Sequence, residues 1–101
     1  MADDPNDGPV FTKEMGISHA DFFRILPKAL GASDYRIEGD RIRLGDADRH
    51  LDITLAAEGV RRIASITLPV TRVTLAFHGY APAEVAATLE RFDLYYRRGG
   101  G

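Results

Sequence analysis

The alternation of apolar and polar residues between His50 and His78 predicts the centre of an antiparallel sheet. Residues 51–56 and 72–77 alternate with a period of two, as expected of half-buried strands. Residues 63–68 alternate less cleanly, because both sets of positions contain an isoleucine. β-Branched residues are frequent throughout this stretch, and they favour strands over helices. We therefore predict three strands here.

Two breaks are expected to separate these strands. Glu58-Gly59 fits a short hairpin loop, since glycine readily supplies a left-handed backbone conformation. Pro69 has no amide hydrogen to donate to a ladder, so it is expected to separate the second strand from the third. A single long bent strand from Arg61 to Phe77 is the alternative interpretation.

A further hairpin is predicted before this block. Residues 35–38 and 41–44 both alternate, and they flank Gly39-Asp40, a two-residue loop of the hairpin type. The complete sheet is therefore predicted to have five strands. Short connections favour pairing in sequence order, which would make the sheet a meander.

Two amphipathic helices are predicted, one before and one after the strands in the chain. Ser18 followed by Asp21 is typical of a helix N-terminal cap, and Gly31 of a left-handed C-terminal cap. Pro27 is expected to kink or restart the first helix. Pro82 suits the first position of the second helix. The buried stripe of that second helix is predicted to contain Val85, Leu89, Phe92 and Tyr96.

The predicted fold class is α+β, with element order α-β-β-β-β-β-α and both helices packed on one face of the antiparallel sheet. The single domain is expected to span residues 15–98. Residues 1–14 are expected to form a largely disordered acidic tail, because they bury too little apolar surface to offset their ordering entropy. Residues 99–101 are expected to be a flexible glycine tail. The predicted core comprises Leu26, Leu30, Ile37, Ile53, Leu55, Ile66, Leu75, Phe77, Leu89 and Phe92.

Composition narrows the classes of protein further. The chain has 101 residues, 45% of them hydrophobic, which suffices for one domain with its own core. The absence of cysteine excludes disulfides, thiolate metal ligands and thiol nucleophiles. The acidic N-terminus has no apolar core of a signal peptide, and no apolar run is long enough to span a membrane. We expect a soluble cytoplasmic protein without a membrane partner.

No motif commits the chain to a reaction. The alternating ligands that begin at Asp46 resemble the start of a calcium loop, but Leu51 and Ala57 occupy the positions that need glycine and glutamate. The three histidines, His19, His50 and His78, fall at separate element ends, although His78 could line a pocket at a strand-to-helix corner. We therefore predict no catalytic residue, metal or cofactor. A non-catalytic role is favoured, and a small enzyme acting near His78 is the alternative.

The outer face of the predicted sheet is the candidate binding surface. Small hydroxyl residues at its centre and arginines at its margins make a flat face, which suits a protein partner or a second copy of the chain. The predicted partner-binding residues are Arg36, Arg41, Arg43, Thr54, Thr67, Arg72 and Thr74. A non-catalytic protein-interaction module is the leading hypothesis.

Nucleic-acid or anion binding through these arginines is one alternative hypothesis. The net charge of −2 and the lack of aromatic residues on this face argue against a nucleic-acid partner. A second alternative comes from the end of the chain. Gly100-Gly101 is similar to the terminal Gly-Gly of ubiquitin-like modifiers and sulfur-carrier proteins, which implies a carrier with an activated tail. Those proteins have a strand before the tail, whereas a helix is predicted here.

Overall fold

The computed structural model describes residues 8–99, in which an antiparallel sheet is combined with two helices. The predicted α+β class is therefore confirmed. In chain order the elements are β1 (Val10–Met15), α1 (His19–Leu30), β2 (Arg36–Glu38), β3 (Arg41–Gly45), β4 (His50–Leu55), β5 (Gly59–Ile63), β6 (Ile66–His78) and α2 (Pro82–Gly99).

The strand order is β1-β6-β4-β3-β2, and β5 pairs with β6 outside this path. Every pairing is antiparallel. Two details of the prediction were wrong. The described part of the chain has six strands instead of five, and the sheet is not a meander, because β6 lies between β1 and β4. The additional strand precedes α1, so the element order is β-α-β-β-β-β-β-α.

Strand β1 corrects the predicted extent of the acidic tail. Residues 10–14, which were assigned to that tail, pair with β6, and Phe11 lies opposite Leu75. The ring of Phe11 meets the ring of Phe77 edge-on at 6.0 Å between centroids. Burial of alternate apolar side chains therefore holds this strand on the sheet. Residues 1–7 of the predicted tail lie outside the described residues.

Strands β4 and β5 both pair with β6, so the three strands form one long hairpin that is interrupted between β4 and β5. The predicted turn at Glu58-Gly59 was wrong, because the tight turn is Ala64-Ser65, with Ile63 paired to Ile66. Residues 56–58 lie opposite only two residues of β6, so one extra residue forms a β-bulge between β4 and β5.

Pro69 neither ends a strand nor starts one, since β6 runs through it without a break. The carbonyl of Arg72 accepts a hydrogen bond from Ala56 at 2.9 Å, so Arg72 directs its backbone towards the β4 side. Phe77 donates to the carbonyl of Pro9 at 3.0 Å on the opposite side. The backbone amide and carbonyl groups of successive residues point alternately to the two sides of a strand. The backbone nitrogen and carbonyl of Pro69 therefore point away from β5, as those of Phe77 do. Its missing amide hydrogen therefore removes no bond from the β5–β6 ladder.

The local signals for α1 were correct. The hydroxyl of Ser18 accepts a hydrogen bond from the Asp21 amide at 3.1 Å, and Gly31 adopts the left-handed conformation with φ of 68°. The helix is continuous from His19 to Leu30, so Pro27 does not restart it. Pro27 is exposed, and its carbonyl accepts hydrogen bonds from the two amides that follow the helix.

Helix α2 begins at Pro82 as predicted and buries the predicted stripe, with Leu89 partly covered. It contacts α1 through aromatic side chains. The ring of Tyr96 stacks on that of Phe22 at 4.9 Å, and the Tyr96 hydroxyl donates to the Phe22 carbonyl at 2.7 Å. Burial raises the pKa of the Tyr96 hydroxyl, which keeps this donor protonated.

Both helices and the sheet contribute to one core, as their buried side chains form a single cluster. Six predicted core residues are buried, and Leu30 and Leu89 are partly buried. Ile37 and Ile66 were wrong, because their residues remain 51% and 57% exposed. The placement of both helices on one face stays a prediction.

Candidate functional site

The outer face is the sheet face whose side chains alternate with the core residues, and two rows of it cross the strands. The register of the strands places Arg36, Arg43, Asp52, Ala76 and Val10 side by side in one row. The neighbouring row comprises Glu38, Arg41, Thr54, Thr74 and Thr12. Five of the seven predicted binding residues therefore lie next to one another in these rows.

The first row contains a tight ion pair. Arg43 donates two hydrogen bonds to Asp52, from Nε to Oδ1 at 2.7 Å and from Nη2 to Oδ2 at 2.8 Å. These bonds hold the pKa of the Asp52 carboxyl below its ordinary value and raise the pKa of Arg43. Charge-assisted two-point bonds of this kind fix both side chains. The guanidinium of Arg43 therefore already has an intramolecular partner, the carboxylate of Asp52.

Arg36 and Arg41 differ from Arg43 in their side-chain contacts. Within residues 8–99 neither guanidinium forms an ion pair or a side-chain hydrogen bond, and Arg36 lies directly opposite Arg43. The three arginines and Glu38 line a cleft of about 290 Å³. Three arginines against the carboxylates of Glu38 and Asp52 leave this arginine cleft with a surplus of positive charge.

The two remaining predicted residues are separated from these rows. Arg72 shares the outer face but approaches Glu14 at 4.0 Å. Thr67 lies in β6 seven residues before Thr74, so the two point to opposite faces of one continuous strand. The expected grouping of Thr67 with Thr54 and Thr74 assumed a break at Pro69, and it is not observed.

The histidine pair at one end of the sheet joins residues that the sequence left apart. His50 and His78 are cross-strand neighbours, and their rings stack at 4.9 Å between centroids. The Nδ1–H of buried His50 donates to the carbonyl of Asp46 at 2.9 Å, and its Nε2 lies 3.8 Å from Oδ2 of Asp52. Asp52 therefore lies between Arg43 on one side and the stacked histidines on the other.

The feature that sequence reasoning missed is the arm, residues 59–70, which comprises β5, the Ala64-Ser65 turn and the first part of β6. Its large apolar side chains are exposed: Val60 by 72%, Ile63 by 53%, Ile66 by 57% and Leu68 by 42%. Among residues 8–99, the arm pairs with no strand beyond its own hairpin. The signal for it was present in the sequence, since apolar residues at both sets of alternating positions between 63 and 68 fit neither a buried face nor a solvated one.

The base of the arm is held in place by polar contacts with other elements. The carboxylate of Glu58 accepts a hydrogen bond from the backbone amide of His19 at 2.8 Å, at the start of α1. The ring of His19 bonds the Ala56 carbonyl at 2.8 Å. Arg61 donates to Glu14 of β1 at 2.7 Å. These contacts orient the arm relative to the sheet.

The predicted carrier tail involves Gly100 and Gly101, which lie outside the described residues, so that hypothesis stays a prediction. Among residues 8–99, no group of three or more His, Asp and Glu side chains is placed to hold a metal ion. Neither described helix is both long and apolar enough to cross a membrane.

The chain was compared with protein-family models, with curated proteins and with solved structures, and no match was found in any of them.

Proposed function

We propose that this protein is a non-catalytic protein-interaction module and that the arm is its main contact surface. The observation that carries the proposal is the exposure of four large apolar side chains on one hairpin that extends beyond the other strands. Contiguous exposed apolar surface of this kind marks sites of association in folded proteins.

The energetics favour a binding role for the arm. A two-stranded hairpin on its own is marginally stable in water. Full burial of an isoleucine or leucine side chain contributes roughly 1.5–3 kcal/mol, and these residues, at 42–57% exposure, forgo about half of it. Leu68, Ile66 and Ile63 share the face that continues the outer face, because they fall at even positions of β6 or opposite them. A partner that covered this face would recover that burial.

The rest of the outer face suits the margin of such an interface. Interfaces combine an apolar centre with a polar, solvent-accessible rim. Thr54 and Thr74 offer hydrogen-bond donors on the part of the outer face nearer the arm, and Arg41 and Arg36 lie further across the sheet towards β2. Arg43 is already oriented by Asp52. We assign these residues to orientation of the partner, with the arm supplying most of the affinity.

The proposal is tested by comparing the wild-type protein with the double variant Ile66→Ser/Leu68→Ser. Each tagged protein is expressed in the native cells, the co-purified partner is identified, and its affinity for each variant is then measured with purified components. We expect at least about a tenfold loss of affinity, because central apolar contacts dominate interface energy. Leu94→Ser is the matched control, since Leu94 is similarly exposed on α2. Light scattering distinguishes a different protein from a second copy.

Two outcomes would overturn this function. One is a strict monomer that retains no partner under native conditions. The other is a partner whose affinity is the same for the double variant and for wild type, with circular dichroism showing both to be folded.

Anion binding at the arginine cleft is the second candidate function. It is favoured by the surplus charge of Arg36 and Arg41 in a cleft of about 290 Å³. Titration with inorganic phosphate and with a single-stranded RNA 20-mer, at low and high salt, tests it. Binding that weakens with salt and is lost in Arg36→Gln/Arg41→Gln supports this candidate, and absence of binding at low salt removes it.

A further inference from the structure

The two edges of the arm differ in their capacity to pair with another strand. The edge formed by β6 contains Pro69. The backbone nitrogen of Pro69 points to that open side and has no hydrogen to donate. Proline at an edge is one of the ways in which proteins prevent strand addition. The β6 edge is therefore protected.

The edge formed by β5 contains no proline. Ile63 and Ile66 flank a two-residue turn and so exchange ladder bonds, which places Arg61 and Gly59 in bonding positions towards β6. Val60 and Arg62 consequently direct their amide and carbonyl groups outward. In the described part of the chain no backbone group bonds to them. They present four unpaired backbone groups on one short edge.

The positive charge around β5 favours some partner strands over others. The sequence from Gly59 to Ala83 contains arginines at 61, 62 and 72 and no acidic residue. Arg62 forms no ion pair within residues 8–99. An added strand in which every second residue is acidic would present all its acidic side chains on one face, where they would meet Arg62, and opposite charges on paired strands attract. Arg61 lies on the other face and is already paired with Glu14 at 2.7 Å.

A second copy of the chain fits this edge less well. Antiparallel pairing of β5 with itself, centred on Arg61, would place that arginine beside its own counterpart. Like charges directly opposite each other destabilise a strand pair.

We propose that the outer edge of β5 accepts an extended segment of a partner protein in which acidic and apolar residues alternate, and that this segment adds a strand to the arm. This inference rests on the proposed interaction function and deepens it. Backbone bonds to Val60 and Arg62 give the affinity, and the guanidinium of Arg62 selects the acidic sequence.

The test uses a fluorescein-labelled heptapeptide of alternating glutamate and valine, and its counterpart with lysine in place of glutamate. Val60→Pro removes one outward amide hydrogen and leaves the β5–β6 ladder intact, whereas Val60→Ala retains that hydrogen and shortens the side chain. By fluorescence anisotropy, we expect the glutamate peptide to bind Val60→Pro about tenfold more weakly than Val60→Ala. The lysine peptide should bind the wild type at least tenfold more weakly than the glutamate peptide.

Arg62→Glu provides a variant that keeps the backbone unchanged. It should weaken binding of the glutamate peptide and strengthen binding of the lysine peptide. The inference is overturned if the wild type binds neither peptide, if Val60→Pro and Val60→Ala bind alike, or if the two peptides bind the wild type equally. Circular dichroism of each variant shows whether the fold is retained.

The cellular partner separates the two proposals. A partner that depends on Ile66 and Leu68 but binds Val60→Pro and Arg62→Glu as well as wild type leaves the interaction function standing and removes strand addition. A partner that is indifferent to all arm variants removes both.

Discussion

Ala64 is the one described residue other than glycine with a positive φ, at 55°. It occupies the first position of the turn that closes the arm. A side chain in this left-handed region brings Cβ close to the following carbonyl and costs roughly 1–2 kcal/mol, which glycine avoids. The arm turn is therefore strained.

Ala64→Gly should stabilise the protein by about 0.5–1 kcal/mol, the relieved strain less the larger unfolded-state entropy of glycine. Ala64→Val should destabilise it, because a β-branched residue is poorly accommodated at positive φ. Urea unfolding of the three proteins measures both effects. A destabilising Ala64→Gly would show that the turn is not strained.

Asp52 should stabilise the fold through Arg43. Because its pKa is lowered in the folded protein, this contribution is complete above about pH 4, the ordinary carboxyl value, and is lost as pH falls through the folded pKa. Asp52→Asn should cost about 1 kcal/mol at pH 7, the pair being half-exposed on the arginine side. The difference from wild type should shrink as the pH falls below about 4.

Urea unfolding from pH 2 to pH 7 measures this dependence. Asp48→Asn is the control, since Asp48 is exposed and its carboxylate forms no ion pair among residues 8–99. A constant difference between wild type and Asp52→Asn across that range would contradict the role of the ion pair.

At the residue scale the sequence predicted what local chemistry determines. Ser18, Gly31 and the Gly39-Asp40 loop carry their own signals, because capping oxygens and left-handed glycines act on neighbouring backbone. Ala64-Ser65 has no such signal, since alanine is not a turn residue. The turn was therefore assigned to the glycine at Gly59 instead.

At the element scale the helices were predictable and the strand pairing was not. A helical stripe such as that of α2 depends on one segment alone, whereas the pairing of β1 with β6 joins residues about 60 positions apart. The role of Pro69 depends on which side of β6 has a neighbour. Composition cannot supply that information.

The contact between α1 and α2 should depend on the Tyr96 hydroxyl. Tyr96→Phe removes its 2.7 Å bond to the Phe22 carbonyl and should lower the free energy of unfolding by about 1 kcal/mol. Tyr95→Phe is the control, because the Tyr95 hydroxyl bonds to no described residue. Equal stability of Tyr96→Phe and wild type would contradict this prediction.

The same hydroxyl predicts the behaviour at alkaline pH. Burial raises the pKa of Tyr96 in the folded protein, so the folded state retains the proton. Stability from this group is present below the unfolded pKa of about 10 and declines as pH rises above it. Unfolding measured between pH 8 and pH 11 should therefore show a smaller decline in Tyr96→Phe than in wild type.

At the scale of the whole molecule, the chain separates into a part that explains folding and a part that explains association. The inward residues of β4 and the second half of β6 are buried as predicted. The arm, by contrast, has apolar residues on both faces, and within the described part of the chain they remain largely exposed. Ile37 and Ile66 were predicted in the core because apolar character alone does not distinguish a buried face from an interface.

The sequence predicted one part of the candidate site, the rows on the outer face, and missed the other part, the arm. Arg36, Arg41, Arg43, Thr54 and Thr74 were placed together correctly, because clean alternation fixes a face. The arm was not identified, since its exposure follows from the length of β6 beyond β1 and β4, a property of the assembled sheet.

The most direct measurement is site-specific photo-crosslinking in the native cells. A photoreactive phenylalanine derivative replaces either Leu68 on the arm or Leu94 on α2, two residues whose exposure is nearly equal at 42% and 41%. The proposed function predicts a discrete adduct with a protein partner from position 68 and none from position 94. An adduct from position 94 alone, equal adducts from both positions, or none from position 68 would contradict it.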